Sequence, residues 1–395
     1  MGRAGVLQEV RVMRFEDVLG RFQAGRLSCE EAADVLGMSV SSFYRWRRRH
    51  EAEGAEGLAD RRLGKVSLRR AAVDEVAKVL ELFETRYVDF NVKHFHEKLQ
   101  GEHGSRRSYS WTKNTLQGAG KVKRAKRKGA HRRKRPRRPM AGMMLHQDGS
   151  KHRWIPGLER DLDLIATLDD ATGAILSAFL VEEEGTMSTF RALAEVFARH
   201  GLPCSLYSDR GGHYFRTPKA GGKVAKQLPT QVGRALAQLG IEHIPAYSPQ
   251  ARGRSERAFG TLQDRLPKEL RLAGIATVAA ANRFLAEVFI ADYNARFAVA
   301  PEQSGSAFVA VAREQWADVL CVQEERTVGN DNTVRFNGQV LQIPPSPLRP
   351  HYVKARVRVH HDPDATYAVF HGPRCLARYH ADGSLMTDDT LERAA

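Results

Sequence analysis

The spacing of apolar residues near the start of the chain predicts helices. Four of them recur at the i, i+3, i+4, i+7 spacing of a helix with one buried face: Phe15, Val18, Leu19 and Phe22. Ser28 and Glu31 then form a capping-box pattern, which opens a second helix that Gly37 ends. Two helices joined by so short a turn are typical of a helix-turn-helix.

The residues after this turn predict a third helix, from about 41 to 49. Phe43 and Trp46 fall on the side that would pack inward. The polar side chains left on the outside are of the kind that a recognition helix presents to DNA: Ser41, Ser42, Tyr44, Arg45 and Arg48. The alternative is an ordinary three-helix bundle with a basic, solvated face.

A second helical module is predicted between about 67 and 120. Its first helix is marked by apolar residues at helical spacing: Val73, Val76, Val79, Leu80 and Phe83. A further helix, opened by Ser110, contains Trp111 and Leu116. Three histidines without cysteines at ligand spacing are expected on the helix surface or in packing: His94, His96 and His103. Two tandem helix-turn-helix units would let one protomer read an extended DNA site.

Beyond about residue 140 the residues alternate as in β-strands. The segments LDLIATLDD and AILSAFLVEE flank the turn DDATG, which predicts a hairpin. A helix containing Phe190 follows, then the strand PCSLYSDRG, a helix near 231–239, the strand IEHIPAYS and a helix carrying Glu256. Three strands, helix, strand, helix, strand, helix is the order of an RNase H-like α/β fold.

Past Pro301 the chain is predicted to be all-β. Asn337 and Gly338 form a two-residue hairpin turn within TVRFNGQVLQI. Three further short strands are predicted in VKARVRVHH, TYAVFHG and CLARYH. A small β-barrel of about 60 residues fits this pattern.

The net charge indicates that this multidomain protein binds a polyanionic partner. The formal charge is +16 and the pI is near 9.9, so phosphates are the expected ligand. The excess is concentrated in one segment, Lys121–Arg138, which holds twelve Lys or Arg residues and no acid. Such a segment cannot fold alone and is predicted to be a DNA-contacting linker. The alternatives are an inert spacer and a basic surface that only maintains solubility.

Length and composition supply the remaining limits. A chain of 395 residues with 42% hydrophobic content can bury several cores. No apolar stretch is long enough to span a bilayer, and the first residues lack the apolar centre of a signal peptide, so a cytoplasmic, nucleoid-associated location is expected. The four cysteines are separated from one another and from histidine clusters, so neither disulfides nor a zinc site is expected.

Three carboxylates are the candidates for chemistry. Metal-dependent phosphoryl transfer needs hard oxygen ligands that converge on two ions about 4 Å apart. Asp148 lies in a strand from which charge is normally excluded, Asp209 ends a strand before two glycines, and Glu256 opens a helix at the edge of the core. Each alone could be a turn, cap or first-turn residue, but the ordered set indicates a metal site. Asp169 and Asp170 occupy the hairpin turn and are expected to be structural.

The strings that contain these residues resemble a known family. QDGS, YSDRGGHYF and SPQARGRSERAFGTLQ, in this order, resemble the DDE transposases of bacterial insertion sequences, particularly the ISNCY group, and more distantly retroviral integrases. The resemblance implies that Asp148, Asp209 and Glu256 bind two Mg²⁺ or Mn²⁺ ions. It further implies cleavage of transposon-end DNA and strand transfer into target DNA, by a homo-oligomer on double-stranded DNA. No GxxxxGK[ST] phosphate loop is present, so ATP is not expected to be required.

One departure from integrases concerns the third carboxylate. Forty-six residues separate Asp209 from Glu256, and the excess lies in the basic segment RTPKAGGKVAKQLPT. Its lysines either contact DNA or are solvated: Lys219, Lys223 and Lys226. Glu242 and Glu269 are weaker candidates, because the first lies in a strand and the second follows Pro267, which should kink or end the helix.

The predicted organisation has five parts. In order, they are a helix-turn-helix domain (10–62), a second helical module (67–120), the basic linker (121–139), the catalytic core (140–300) and the β-barrel (325–385). DNA contacts outside the third helix are expected at Lys113, Arg132, Arg133, Arg252, Arg257 and Gln263. Two other classes of function remain open: a catalytically silent transposase-derived DNA-binding regulator, and an RNA-binding protein that uses the arginine-rich linker.

Overall fold

The computed structural model describes residues 3–60, 70–124, 135–219, 222–225, 227–247, 253–345 and 349–386. The chain divides into two compact units, Met1–Val79 and Leu80–Ala395. Within the described ranges, no helix combines the length and the apolar character that crossing a membrane would require.

The first unit contains the predicted helix-turn-helix. Its helices are α1 (Arg3–Gln23), α2 (Cys29–Leu36) and α3 (Val40–Glu53), followed by a 3₁₀ turn, Gly54–Leu58. The predicted capping box is present, with the Ser28 side chain accepting from the Glu31 backbone N–H and the Glu31 side chain accepting from the Ser28 N–H. Gly37 ends α2 in the left-handed region, at φ 65°. Phe15 and Phe43 are fully buried at the centre of the three helices.

Three more helices precede the basic linker. They are α4 (Val73–Thr85), α5 (Val92–Gly101) and α6 (Tyr109–Gly118). Ser108, not Ser110, caps α6, because its backbone is extended and its side chain accepts the Trp111 N–H. His94 and His96 are buried, so the prediction of packing histidines is confirmed for these two.

A mixed five-stranded sheet forms the centre of the second unit. Its elements are β1 (Leu145–His152), β2 (Leu162–Asp169), β3 (Ile175–Val181), α7 (Thr186–His200), β4 (Ser205–Ser208), α8 (Gln231–Gln238), β5 (Glu242–Pro245) and α9 (Gly253–Leu272). The strand order is β3-β2-β1-β4-β5, with β1 to β3 antiparallel and β4 and β5 parallel to β1. The predicted order of strands and helices is confirmed, and it is the RNase H-like topology.

Each face of this sheet is covered by helices. On one face α7 and α8 pack with the sheet around Phe190 and Leu236. On the other face α9 packs with two helices that the sequence pattern did not specify, α10 (Val278–Phe284) and α11 (Ile290–Phe297), which a π-helical turn, Leu285–Phe289, joins. Functional side chains of the sheet must therefore lie at a strand end or under a helix.

The C-terminal region is an antiparallel β-structure, but its described strands do not close into the predicted barrel. A four-stranded sheet has the order β11-β10-β9-β6, and β7 pairs only with β8. The strands are β6 (Val322–Thr327), β7 (Thr333–Phe336), β8 (Gln339–Gln342), β9 (Arg356–His361), β10 (Tyr367–His371) and β11 (Arg374–Tyr379). Asn337 and Gly338 form the predicted turn, with φ 47° and 80°.

The prediction that the chain is all-β past Pro301 was wrong at one place. A single helical turn, α12 (Arg313–Trp316), precedes β6. Its Trp316 is buried and packs with Phe197 of α7, at 5.9 Å between ring centroids. This contact attaches the helical turn to the core that α7 and α8 form.

Candidate active site and nucleic-acid interface

The position of Asp148 follows from the alternation of side chains along β1. Leu145 and Gln147 lie on the α7 side of the sheet, where Leu145 joins the core around Phe190 and the Gln147 amide donates to the Thr189 carbonyl. Successive side chains of a strand point to opposite faces, so Asp148 belongs to the other face, the side of α9. It is buried there, with 6% exposure.

Asp209 directly follows β4, the strand that pairs in parallel with β1. The parallel pairing of β1 with β4 sets Leu145 opposite Leu206 and His146 opposite Tyr207. Continued by two residues, this register brings Asp209, which directly follows β4, level with Asp148. Asp209 Oδ1 accepts the Gly211 N–H at 2.8 Å, which orients the carboxylate. An added Cβ at Gly211 would come to 3.0 Å from that same oxygen, a close contact that a small movement of the carboxylate would have to relieve.

A further carboxylate, Glu184, lies on the α7 face of β1, opposite the face of Asp148, and was not singled out from the sequence. It packs on Gly149 of β1, since a Cβ added to Gly149 would come to 2.3 Å from Glu184 Oε2. Its other oxygen, Oε1, is buried and has no hydrogen-bond partner among the described residues. His213 Nε2 faces it at 3.6 Å, which is too long for a hydrogen bond. The available signal was the acidic run directly before α7, which is easily taken for a solvated helix start.

The buried Tyr214 is influenced by the charges of all three carboxylates. Burial raises the pKa of the Tyr214 hydroxyl well above its usual value. The negative charges of Glu184, Asp148 and Asp209 raise this pKa further. Three carboxylates therefore lie near one side chain, and a site of this kind is electronegative enough to attract cations.

Glu256 lies on the exposed face of α9 that also carries Gln263. These two residues are seven positions, or about two helical turns, apart and so share a face. The Gln263 amide donates to the Ser150 hydroxyl of β1 at 2.9 Å. Because Ser150 and Asp148 are two residues apart on one side of β1, the Glu256 face of α9 is directed toward the Asp148 stretch of this strand.

The residues present suit a divalent metal in chemistry but are not closed around one. Asp148 and Asp209 offer hard carboxylate oxygens of the kind that Mg²⁺ and Mn²⁺ prefer, and the buried Oε1 of Glu184, on the other face of β1, has no hydrogen-bond partner among the described residues. Among the residues that the structure describes, no three His, Cys, Asp or Glu side chains are close enough to hold an ion.

The prediction that Pro267 would kink or end the helix failed in one respect, since α9 continues to Leu272. Contacts on both sides of the proline hold the helix against the core, since Leu266 and Leu270 are fully buried. Glu269 accepts from Lys98 at 2.8 Å and lies 2.6 Å from His94 Nε2, so it joins α9 to α5. The Glu269 carboxylate is therefore bound to α5, which agrees with its being a weaker candidate for the third carboxylate.

The predicted recognition helix has the expected two sides. Phe43 is buried and Trp46 packs against the same core, as predicted. Ser41, Tyr44, Arg45 and Arg48 are exposed, whereas Ser42 is half-buried next to the Ser39 cap of α3. Arg47 is placed 5.3 Å above the Tyr44 ring, which holds that ring at the surface.

The remaining predicted DNA contacts are dispersed. Lys113 is half-buried on α6, and Arg257 is exposed on α9. Lys219 and Lys223 are exposed in the basic loop after β4. Four predicted contacts lie outside the described residues, together with the middle of the basic linker: Arg132, Arg133, Lys226 and Arg252.

Comparison with known proteins shows similarity to a helix-turn-helix family and to transposases. Residues 16–65 match a helix-turn-helix domain family. The chain is 34% identical over 329 residues to the putative transposase y4bF of Sinorhizobium fredii, an alignment that covers 83% of this chain and 71% of that protein. It is 36% identical over 163 residues to the transposase for insertion sequence IS1202 of Streptococcus pneumoniae, covering 41% of this chain and 34% of that one.

Two solved structures also show similarity. One is the HTLV-2 integrase catalytic core domain in complex with magnesium, with a TM-score of 0.29 and 17% identity, covering 36% of this chain and 82% of that chain. The other is the simian T-cell lymphotropic virus intasome, with a TM-score of 0.33 and 13% identity, covering 73% and 91%.

Proposed function

Because this chain belongs to the transposase family, we propose that it is a DDE-type enzyme that binds transposon-end DNA and catalyses metal-dependent cleavage and strand transfer. The observation that supports the proposal is the parallel pairing of β1 with β4 in an RNase H-like sheet, because Asp148 lies on β1 and Asp209 directly follows β4. The helix that bears Glu256 crosses the same stretch of β1. Assignment to the ISNCY group stays a prediction.

In this proposal Asp148, Asp209 and Glu256 hold two Mg²⁺ or Mn²⁺ ions, and Glu184 adds negative charge beside them. The ions, when bound, supply activation of the attacking oxygen and stabilisation of the leaving oxygen. The role of the chain is to hold the carboxylates. The Gly211 N–H orients Asp209, and the neighbouring strands fix the spacing of the two aspartates. Since one phosphodiester replaces another, positioning and metals suffice without ATP.

The DNA-binding part of the proposal assigns two kinds of contact. The exposed residues of α3, among them Arg45 and Arg48, read bases in the major groove of the transposon end. The basic linker, with Lys113, Arg257 and Gln263 along the second unit, contacts phosphates and positions the duplex. Reading and positioning are separable, because phosphate contacts carry no sequence information.

Self-association is proposed through α1. Val6, Val10 and Met13 are half-exposed, at 48%, 49% and 60%, on the side of α1 opposite Phe15. Their spacing is that of the d, a and d positions of a heptad, and in a parallel pair Glu9 at g would face Arg14 at e of a second copy. The apolar stripe and the complementary charges both fit a second copy of this helix.

The α1 pairing is tested by swapping charges in the full chain. Glu9→Arg and Arg14→Glu should each lower the fraction of two-chain assemblies on end DNA, and the double variant should restore it. Light scattering coupled to size exclusion measures the mass of each assembly. Unchanged assembly in both single variants would contradict pairing through α1.

The catalytic proposal is tested on duplexes taken from the DNA that flanks the gene. Asp148→Asn, Asp209→Asn and Glu256→Gln should each abolish cleavage in Mn²⁺ while end binding stays intact. Glu242→Gln, an exposed carboxylate on β5, is the matched control and should cleave normally. Full cleavage by any of the three variants would remove that residue from the site. Specific binding without cleavage by the wild-type chain would instead favour the catalytically silent regulator.

A further inference from the structure

Asp170 is surrounded by hydrogen-bond donors from three parts of the chain. Its side chain is fully buried, with 0% exposure, just after β2. Asp170 Oδ2 accepts the Arg138 backbone N–H at 2.7 Å, and Oδ1 accepts from the Arg135 guanidinium at 2.7 Å. His146 Nε2 lies 2.6 Å from Oδ1, and the Arg254 guanidinium donates to the same oxygen.

An ordinary turn aspartate does not need these partners. The neighbouring Asp169 serves the hairpin turn, as the sequence predicts, because its carboxylate accepts from the Thr172 N–H and hydroxyl. Burial alone would raise the pKa of Asp170, but the bonds from His146, Arg138 and Arg254 hold it well below its usual range. Asp170 is therefore a charged, buried carboxylate with a role beyond the turn.

The donors around Asp170 link the basic linker to the start of α9. Arg135 and Arg138 belong to the C-terminal end of the linker, and Arg254 is in the first turn of α9. Arg254 also donates to the Arg135 carbonyl at 2.8 Å and to the Asp170 carbonyl at 3.3 Å. The end of the linker and the start of α9 are thus connected by hydrogen bonds in two ways: both bond to the Asp170 carboxylate, and Arg254 bonds directly to Arg135.

Glu256 is only two residues beyond Arg254. A helix is least restrained in its first turn, where four backbone N–H groups have no helical acceptor. The placement of Glu256 therefore depends on whatever fixes that turn. Arg254 attaches this turn to Asp170, just after β2, and to the linker through three hydrogen bonds.

We propose that Asp170 is a positioning residue, which fixes the first turn of α9, and with it Glu256, to the DNA-contacting linker. This inference rests on the proposed role of Glu256 in metal binding. It assigns Asp170 no contact with metal or DNA. Instead, Asp170 holds the Glu256 carboxylate of α9 and the proposed phosphate-binding linker in a fixed position relative to each other.

The experiment compares Asp170→Asn with wild type in the full chain. Asparagine has the shape of aspartate but not its charge, so it cannot hold two arginines. Hydrogen exchange of peptides covering 253–260 should accelerate. The Mn²⁺ concentration for half-maximal end cleavage should rise about 10- to 100-fold, the usual effect of losing a group that orients a metal ligand. The thermal midpoint shows whether the variant folds.

Two further variants keep the test decisive. Arg254→Lys retains the charge but loses the forked geometry, so it should show the same faster exchange if Asp170→Asn does not fold. Asp264→Asn alters a carboxylate later in α9 that pairs with Lys268, and should leave both readouts unchanged. Unchanged exchange and Mn²⁺ dependence in a folded Asp170→Asn chain would overturn the inference. If wild type does not cleave at all, the proposed function fails, while the exchange measurement still decides the role of Asp170.

Discussion

Gly149→Ala provides a small perturbation of the candidate active site from its α7 side. The new methyl carbon would come to 2.3 Å from Glu184 Oε2 and 2.6 Å from Glu184 Cδ. Ordinary van der Waals contact begins near 3.4 Å, so the carboxylate has to move by about 1 Å. The atoms that must move are at the end of a flexible side chain. The cost to folding is then a side-chain rearrangement of about 0.5–1.5 kcal/mol.

The effect on function is larger than the effect on stability. At an effective dielectric constant of about 20, two unit charges attract by about 4 kcal/mol at about 4 Å and by about 3.3 kcal/mol at about 5 Å. The loss of about 0.8 kcal/mol is a factor of about 4 in affinity for a unit charge and about 16 for a divalent ion. Because Glu184 lies on the face of β1 opposite Asp148, this factor is an upper limit, and we expect the Mn²⁺ concentration for half-maximal cleavage to rise by up to about one order of magnitude.

The assay is cleavage of end DNA over a Mn²⁺ titration, combined with thermal unfolding of each variant. Gly185→Ala is the matched control, because it adjoins Glu184 and its added methyl meets nothing within 4 Å. Glu184→Gln should shift the Mn²⁺ dependence in the same direction. A folded Gly149→Ala chain with the wild-type Mn²⁺ dependence would refute the idea that Glu184 contributes to the site.

Three further outcomes are expected. Replacing Arg45 or Arg48 with alanine should weaken binding to end DNA by about 1–3 kcal/mol if that arginine reads a base. If it contacts a phosphate instead, binding should weaken equally for all sequences. Titration of end and random duplexes distinguishes the two outcomes. Replacing six of the basic residues of Lys121–Arg138 with glutamine should make the slope of log affinity against log salt concentration less steep. The slope should change by about 0.9 for each phosphate that the linker no longer neutralises. An unchanged slope would show that the linker does not touch DNA. Glu269→Ala should lower the free energy of unfolding by about 3 kcal/mol, because it leaves the buried partners of α5 without their carboxylate, and urea unfolding measures it.

The pH dependence of stability follows from the same α5–α9 junction. Burial lowers the pKa of His94, and although burial opposes it, hydrogen bonds from His94 and Lys98 lower the pKa of Glu269. Both groups bind protons less readily when folded, so the folded state loses stability as the pH falls from about 6.5 through about 4.3. Urea unfolding at a series of pH values should show this loss. Glu269→Ala should remove the part of the loss due to Glu269 but enlarge the part due to His94, because the Glu269 carboxylate raises the pKa of His94 against the effect of burial. A pH profile that is identical in the variant would contradict this assignment.

Local patterns in the sequence were sufficient for the elements of the helix-turn-helix and of the central sheet and for their order, but not for α10, α11 and α12. The capping box at Ser28, the left-handed Gly37 and the Asn337–Gly338 turn each depend on residues within a few positions. The pairing of β1 with β4 is different, because it joins residues 61 apart along the chain and no local pattern encodes it. The side-by-side placement of Asp148 and Asp209 could therefore be expected from a resemblance, whereas periodicity alone does not predict it.

The features that the sequence did not predict arise from tertiary contacts. Pro267 is accommodated in α9 because buried leucines and the Glu269 contacts hold the helix on both sides of it. Glu184 and Asp170 looked like a helix-start and a turn residue, and only the packing of Gly149 and the linker end reveals their surroundings. Residues with common local roles are the ones whose function sequence reasoning overlooks.

The contact of His94 with Glu269 also has a consequence for synthesis of the protein. The two residues are 175 positions apart. At a translation rate of about 5–20 residues per second, α5 leaves the ribosome about 9–35 s before the part of α9 that it binds. The helices of the first unit, by contrast, have all their core partners within the first 60 residues. A nascent or truncated chain should therefore carry a folded helix-turn-helix before α5 has its partner, and DNA recognition should become available earlier than the catalytic core.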